Sequence, residues 1–381
     1  MPHNTFYSTD LGAGQISDTP GQLVAVLDQC LVNGGPTFSV TSVTRSGTLA
    51  TATTVAHGLS PGGVYPVDRR LTIAGANEAD YNGTFLCSIT SNTTFTYTVA
   101  NAPATPASGT VLASVAPLGW TIAFTATNKR SYLQGAGSNG FYLDVDDTNA
   151  AYSLVRGYEI MTAVGTGSNP FPTVAQQPLA SYCWHKVVGN AGNRLWVLSG
   201  NSKTINFFIN AHLGAFSINN PVIYQFGDQL TEVSGDAYNT GISASISTGA
   251  SLAAPGASFG YSAIDTSFTG RYMARLSTGV GSSIAVGMHA DSAKNSSGVP
   301  GAGSMTYPAQ NGGLYISPVV THHNSSPRAT QPGIYDICHS RPLSNFDYFS
   351  GNGAYAGRRF QCVYVFSNNA GGCVAIEVTP W

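Results

Sequence analysis

From Phe38 onward the chain carries period-two alternation of apolar and polar residues with little interruption, and this pattern confines it to a β fold. The runs "FSVTSVTRSGTLATATT", "RLTIAG", "GTFLCSIT" and "TFTYTVA" put successive side chains on opposite faces of a strand. Turn residues separate them at Arg45-Ser46-Gly47, Asn82-Gly83 and Ser91-Asn92. Further strands are predicted in "WTIAFTATNKRSYL", "GFYLDVDD", "YSLVRGYEIM", "NRLWVLSG", "TINFFINA", "PVIYQFGD", "FQCVYVFS" and "CVAIEVTPW". Aromatic and β-branched residues mark many of them, as side chains that fit a pleated surface do. The expected class is mostly β, with a sandwich-like or jelly-roll-like main domain.

One segment departs from this period. In "SDTPGQLVAVLDQCLVNGG", Leu23, Val26, Leu27, Cys30 and Leu31 fall on one helical face, and Val24 widens the stripe. Asp18 and Thr19 are the candidate caps, Pro20 suits the first helical position, and Asn33-Gly34 suits the stop. A short helix packed on a sheet is expected here.

The unit from Thr37 to Ala116 reads as self-contained, with several strands in about 80 residues, the size of a small β-sandwich. Removing it on paper joins "LVNGG" to "APLGW", and both junctions carry Gly and Pro. Exposed turns of this kind tolerate inserted domains. The expected organisation is therefore 1–36 as the helix and start of the main domain, 37–116 as an inserted β-sandwich outside it, and 117–381 as the main β domain. Between Asp236 and Pro308 the pattern thins into Ala, Ser and Gly, which predicts long surface loops.

Charge narrows the function classes. Only 9% of the 381 residues are charged, against about 25% in an average domain, while 43% are hydrophobic. That balance is not one of disorder. A net charge of −2 leaves no electrostatic footprint for nucleic acid. No apolar run approaches the roughly 20 residues of a membrane helix, and "MPHNTFYSTD" has neither the cationic start nor the apolar core of a signal peptide. Neither nucleic acid nor membrane is expected as a partner. Cys30, Cys87, Cys183, Cys338, Cys362 and Cys373 form no C-x-x-C pair and are expected as buried free thiols in a reducing cytosol. A hairpin centred on "SNNAGG" places Cys362 opposite Glu377 and away from Cys373.

The motifs that resemble chemistry lack its context. "GASFG" matches a nucleophile elbow around Ser258, but no helix pattern follows it. "GAGSNG", Gly135 to Gly140, runs into a strand where a dinucleotide site needs a helix, so a hairpin turn is expected. "DVDDTN", Asp144 to Asn149, gathers acceptors but breaks calcium-loop spacing and reads as a solvated turn. His322 and His323 are adjacent, so from a strand they face opposite ways; with His339 and Cys338 they read as polar-loop and core residues ahead of a metal site. No catalytic, cofactor-binding or metal-ligating residue is assigned, and no enzyme activity or cofactor is expected.

Several phrases together resemble a family of tailed-bacteriophage virion proteins: the helix "GQLVAVLDQCLVNGG", then Gly119-Trp120, "GFYLDVDD", "VRGYEIM", "PFPTVAQQ" around Phe171, "GGLYISPV", "PGIYDICHSRPL" and a terminal Pro380-Trp381. The inserted unit is similar to an immunoglobulin-like module of phage surface proteins, through "RSGTLATATTVAHGLSPG", "LTIAGANEADYNGTF" and "TTFTYTVA". The resemblance implies a non-enzymatic virion protein assembled in the host cytoplasm, an outer-surface accessory such as a capsid decoration or cement protein. Its partners would be other virion proteins of capsid, neck or tail, and further copies of itself as a homo-oligomer. The alternative is a neck, tail, baseplate or fibre component that binds host-surface carbohydrate, with Trp120, Trp184, Trp196 and Trp381 as candidate stacking rings.

Overall fold

The structure, a computed structural model, describes residues 3–60, 63–177, 181–187, 192–210, 222–245, 272–281, 283–290, 314–323, 326–337, 343–365 and 372–379. The chain opens with β1 (Asn4–Tyr7), then helix α1 (Gln22–Leu27), which continues as a wider π-helical segment, Asp28–Asn33. Six strands follow: β2 (Phe38–Ser46), β3 (Leu49–Thr54), β4 (Val67–Ala76), β5 (Gly83–Ser91), β6 (Thr94–Thr98) and β7 (Gly109–Val115). Next come β8 (Thr121–Ala126), β9 (Lys129–Leu133), β10 (Tyr142–Asp146), β11 (Tyr152–Ala163), β12 (Thr166–Phe171) and β13 (Cys183–His185). The central part holds β14 (Trp196–Gly200), β15 (Thr204–Ile209), β16 (Val222–Asp228), β17 (Leu230–Thr231), β18 (Thr240–Ser243), β19 (Tyr272–Arg275) and β20 (Ser283–Ala285). Last are β21 (Gly287–Ala290), β22 (Ile316–His323), β23 (Ser326–Ile337), β24 (Tyr348–Ser350), β25 (Arg359–Val365) and β26 (Gly372–Glu377).

The mostly-β expectation holds. The body is built on a central antiparallel sheet, β1-β14-β15-β16-β18-β19-β20. An outer sheet, β21-β22-β23-β26-β25-β24 with β17 added to β23, covers one face. Val197, Phe208, Ile223 and Tyr272 point that way and pack with Ile334, Val363, Val374 and Ile376. The alternate residues Trp196, Leu198, Phe207, Tyr224 and Phe226 point the other way, into a core shared with α1, the β8–β12 sheet and the β2–β7 unit. With both faces covered, β14, β15 and β16 are buried along their whole lengths. Neighbouring strands are mostly consecutive in sequence, so the sandwich is made of meanders.

Helix α1 is stabilised from outside its own sequence. Asp18 and Thr19 do not cap it; Gly21, at φ 86°, precedes the first turn and offers no side chain. The cap is the Asp147 carboxylate, whose Oδ2 accepts Leu23 N–H at 2.8 Å and Val24 N–H at 3.4 Å. An acceptor this distant in sequence leaves no local signal, which is why the helix start reads wrongly from residues 18–20. The predicted stop stands, with Asn33 last and Gly34 at φ 84°. The carbonyls of Cys30 and Leu31 are filled by N–H groups of Leu118, Gly119 and Trp120.

The unit expected as an immunoglobulin-like sandwich is a closed barrel, β2-β3-β6-β5-β4-β7. Closure comes from β7, which pairs with β4 and also with β2 and so removes both edges. A bulge at Gly75, φ 90°, bends β4 for this; a Cβ there would strike the Thr110 carbonyl. The two ends of the unit meet, with Gly35 N–H donating to Val115 O at 2.8 Å. The barrel does not stand outside the main fold as expected: one wall is docked on the body.

Two further expectations change. The hairpin of β25 and β26 pairs Phe360 with Glu377 and Tyr364 with Cys373, so Cys362 faces Ala375. The span from Asp236 to Pro308 is not all loop, because it contains β18, β19, β20 and β21; its residues 246–271 and 291–308 lie outside the described residues. The "GAGSNG" turn is where it was expected, joining β9 to β10.

Candidate functional site: the seam between barrel and body

In β4, Val67, Arg69, Leu71 and Ile73 share the inward face of the pleat, so the alternation carries a guanidinium inside with three apolar neighbours. Arg69 is 2% exposed and is met by Asp10, with Nη2 donating to Oδ2 at 2.8 Å and Nη1 to Oδ1 at 3.2 Å. Nη1 also donates to Leu59 O at 2.7 Å. The guanidinium lies over the Tyr7 ring, 4.9 Å from its centroid. Tyr7 Oη in turn donates to Gln361 Oε1 of β25 at 2.7 Å. One arginine of the barrel thus reaches the N-terminal strand directly and the outer sheet through a single tyrosine.

Hydrogen bonds extend the seam along β1. Asn4 Nδ2 donates to the carbonyls of Arg70 and Ala116, at 2.9 and 2.8 Å, while its Oδ1 accepts Arg70 N–H. Leu11 N–H donates to His57 O, and Arg359 Nη2 donates to Pro66 O. Backbones approach closely at Gly58, where a Cβ would collide with the Thr9 carbonyl.

The electrostatics favour neutral groups around one charge pair. Burial pushes the Asp10 carboxyl above its ordinary range, against the pull of Arg69 and the Tyr7 N–H. Burial, followed by Arg70 and Arg69, holds the His3 imidazole down at about 3. Burial and then Arg69 hold His57 down at about 4. Both histidines are therefore neutral at pH 7. Burial also raises the phenol of Tyr7 and the thiols of Cys30, Cys87 and Cys183, the last to about 12. A raised thiol is a poor nucleophile, and the bonds across the seam fasten one surface to another. Beside the seam, Tyr7, Trp196, Phe208, Phe346 and Val363 line an apolar cavity of about 50 Å³ between the central and outer sheets.

The residues singled out from sequence lie elsewhere. The solvated turn expected at "DVDDTN" is confined to the exposed Thr148 and Asn149; the aspartates before it are engaged. Asp147 is fully buried and holds Lys186 Nζ at 2.5 Å and Ser153 Oγ at 2.6 Å. Asp144 accepts Ser131 Oγ at 2.6 Å, and Asp146 pairs with Lys129 at 2.6 Å. Asp147 thus fastens the end of β10 to α1 and to the segment after β13, while Asp144 and Asp146 hold β9. His322 and His323 end β22, opposite Pro327 and Ser326. Ser258, Cys338 and His339 lie outside the described residues. Among the described residues no group of three His, Cys, Asp or Glu side chains could hold a metal ion. Trp120, Trp184 and Trp196 are 3%, 0% and 2% exposed, and their indole N–H groups donate to Asn201 O, Ser243 O and Gly14 O. These rings are core, so they offer no stacking platform for sugars; Trp381 lies outside the described residues.

Sequence reasoning missed His3, Asp10, His57 and Arg69. Arg69 had a visible signal, since it occupies an apolar phase of "VDRRLTIAG" in a chain poor in charge. The others had none, because their partners are set by docking. No protein-family model and no curated protein matches this chain.

Proposed function

We propose that this chain is a non-enzymatic structural component of a tailed-bacteriophage virion, an outer-surface accessory such as a capsid decoration or cement protein. The observation that carries the reading is where the few charges go. Of 16 basic and 18 acidic residues, Arg69, Arg156, Lys186, Arg194, Arg275 and Arg328 are buried. Four of them pair with Asp10, Asp147, Glu159 and Asp236 from distant parts of the chain. Charged side chains are seldom buried unless paired. Here scarce charge serves to fasten elements, and the outside is left weakly charged.

The outer wall of the barrel illustrates the result. Thr44, Thr51, Thr96 and Ser88 follow one another across four paired strands, a row of hydroxyls that meets its one charge at Asp68 of β4. Such surfaces repel neighbours little and suit close packing among repeated copies. Mass spectrometry of purified particles tests the reading directly. Stoichiometric presence in mature virions supports it, and absence overturns it.

A further inference from the structure

The barrel touches the body through a seam that contains His57, and the geometry of that ring fixes its protonation state. His57 is fully buried. Its Nδ1 accepts Leu59 N–H at 3.2 Å, so the single proton of the neutral ring sits on Nε2. Nε2 is buried and has no hydrogen-bond partner among the described residues. A second proton can enter only at Nδ1, where it meets the Leu59 N–H head-on. The 57–59 turn is also what holds the seam: His57 O accepts Leu11 N–H at 3.1 Å, and Leu59 O accepts Arg69 Nη1 at 2.7 Å.

We propose that His57 is an acid-sensitive latch: a second proton on its ring expels the Leu59 N–H, opens the 57–59 turn and releases the barrel from the body while both stay folded. The two connections at 34–37 and 115–118 are the hinge, close together where Gly35 meets Val115. The groups that face the ring make the new charge costly. Arg69 of β4 is the near cation, Phe38 of β2 lies 6.0 Å away with no charge, and Asp10 is already engaged by Arg69. His3 lies on the same seam, is also neutral, and adds a second cation beside Arg69 and Arg70 at lower pH. The latch does not rest on a virion role.

The sign follows from linkage. The folded ring takes its proton near 4, and an unfolded histidine near about 6.5. Stability of the docked state is therefore present above about pH 6.5 and is lost as pH falls through 4. Amide hydrogen exchange on the full chain, read between pH 7 and pH 3.5, tests this. Leu11 and Arg70 amides report the seam, and β3, β5 and β6 amides report the barrel interior. The expected result is that seam protection is lost near pH 4 to 5 while interior protection persists. His57→Asn keeps an acceptor for Leu59 N–H but takes up no proton, so its seam should stay closed to a pH lower by about one unit. That variant leaves Asp10 unchanged, which separates the latch from protonation of the Asp10 carboxylate. Simultaneous loss of seam and interior protection in the wild-type chain, or an unchanged midpoint in His57→Asn, overturns the proposal.

Discussion

Lys186 and Asp147 are both fully buried, and the carboxylate they share also caps α1 and holds Ser153. Lys186 Nζ has a second acceptor in Thr19 O at 3.1 Å. Breaking a buried pair strands the remaining charge, so Lys186→Met should destabilise by about 3–5 kcal/mol in chemical denaturation. A loss below 1 kcal/mol would mean that water reaches the pair. His3 sets a different observable. Folded His3 binds a proton only near 3, whereas the unfolded chain binds it near about 6.5. Between those values the unfolded state holds more protons, so stability is present above 6.5 and falls as pH is lowered. The limit is about 5 kcal/mol. His3→Gln should flatten the acid limb of a stability–pH curve; an unchanged limb would place the loss at other groups.

At the scale of elements, strand pairs are closed by shape as well as by backbone bonds. Gly157 of β11 sits directly opposite Phe171 of β12, and a Cβ on Gly157 would enter the Phe171 ring. The aromatic ring covers the bare backbone of its neighbour. Gly157→Ala should cost about 1–3 kcal/mol through forced movement of Phe171, measured by thermal unfolding. Phe171→Ala should cost about 3–5 kcal/mol, since that ring also stacks on Phe226. The C-terminal strand has its own fastener. Glu377 pairs with Arg358, whose guanidinium lies 5.1 Å from the ring centroids of Tyr335 and Tyr355. Removing the last five residues takes Glu377 with them and should lower stability by about 2 kcal/mol. A truncated chain with an unaltered melting temperature would show that β26 is held by the β25 and β23 ladders alone.

For the molecule as a whole, the close approach of Gly35 and Val115 means the barrel can be excised and the gap bridged with Gly. Excision exposes Asn4 and Asp10 to water, which replaces their lost partners, and also bares apolar side chains of the shared core, which lowers stability. The expected product unfolds cooperatively, retains a β-type circular dichroism spectrum and has a lower midpoint than the full chain. Failure to fold would assign the barrel to the body's core, consistent with the apolar cluster that the two share. Association belongs to this scale too. Under the virion reading, stable contacts between copies should each bury more than about 1,000 Å² in total, visible on intact particles.

By itself the sequence determined the β class, the place of helix α1 and its stop at Asn33-Gly34, and the turn at Gly135 to Gly140. These follow from periodicity and turn chemistry, which act over a few residues and are written in order along the chain. Tertiary structure alone decided that β7 would close a barrel, that Asp147 would cap α1, and that Arg69, Asp10 and His57 would meet at one seam. The partners involved are 59 residues apart for Arg69 and Asp10 and 124 apart for Asp147 and Leu23. Such pairings are selected by which buried polar group finds a partner once the apolar faces have collapsed, and an unpaired charge inside costs several kcal/mol, on the order of the whole stability of a domain. Local pattern places Arg69 on the inward face of β4; only the packed molecule brings Asp10, His57 and Asp147 to their partners.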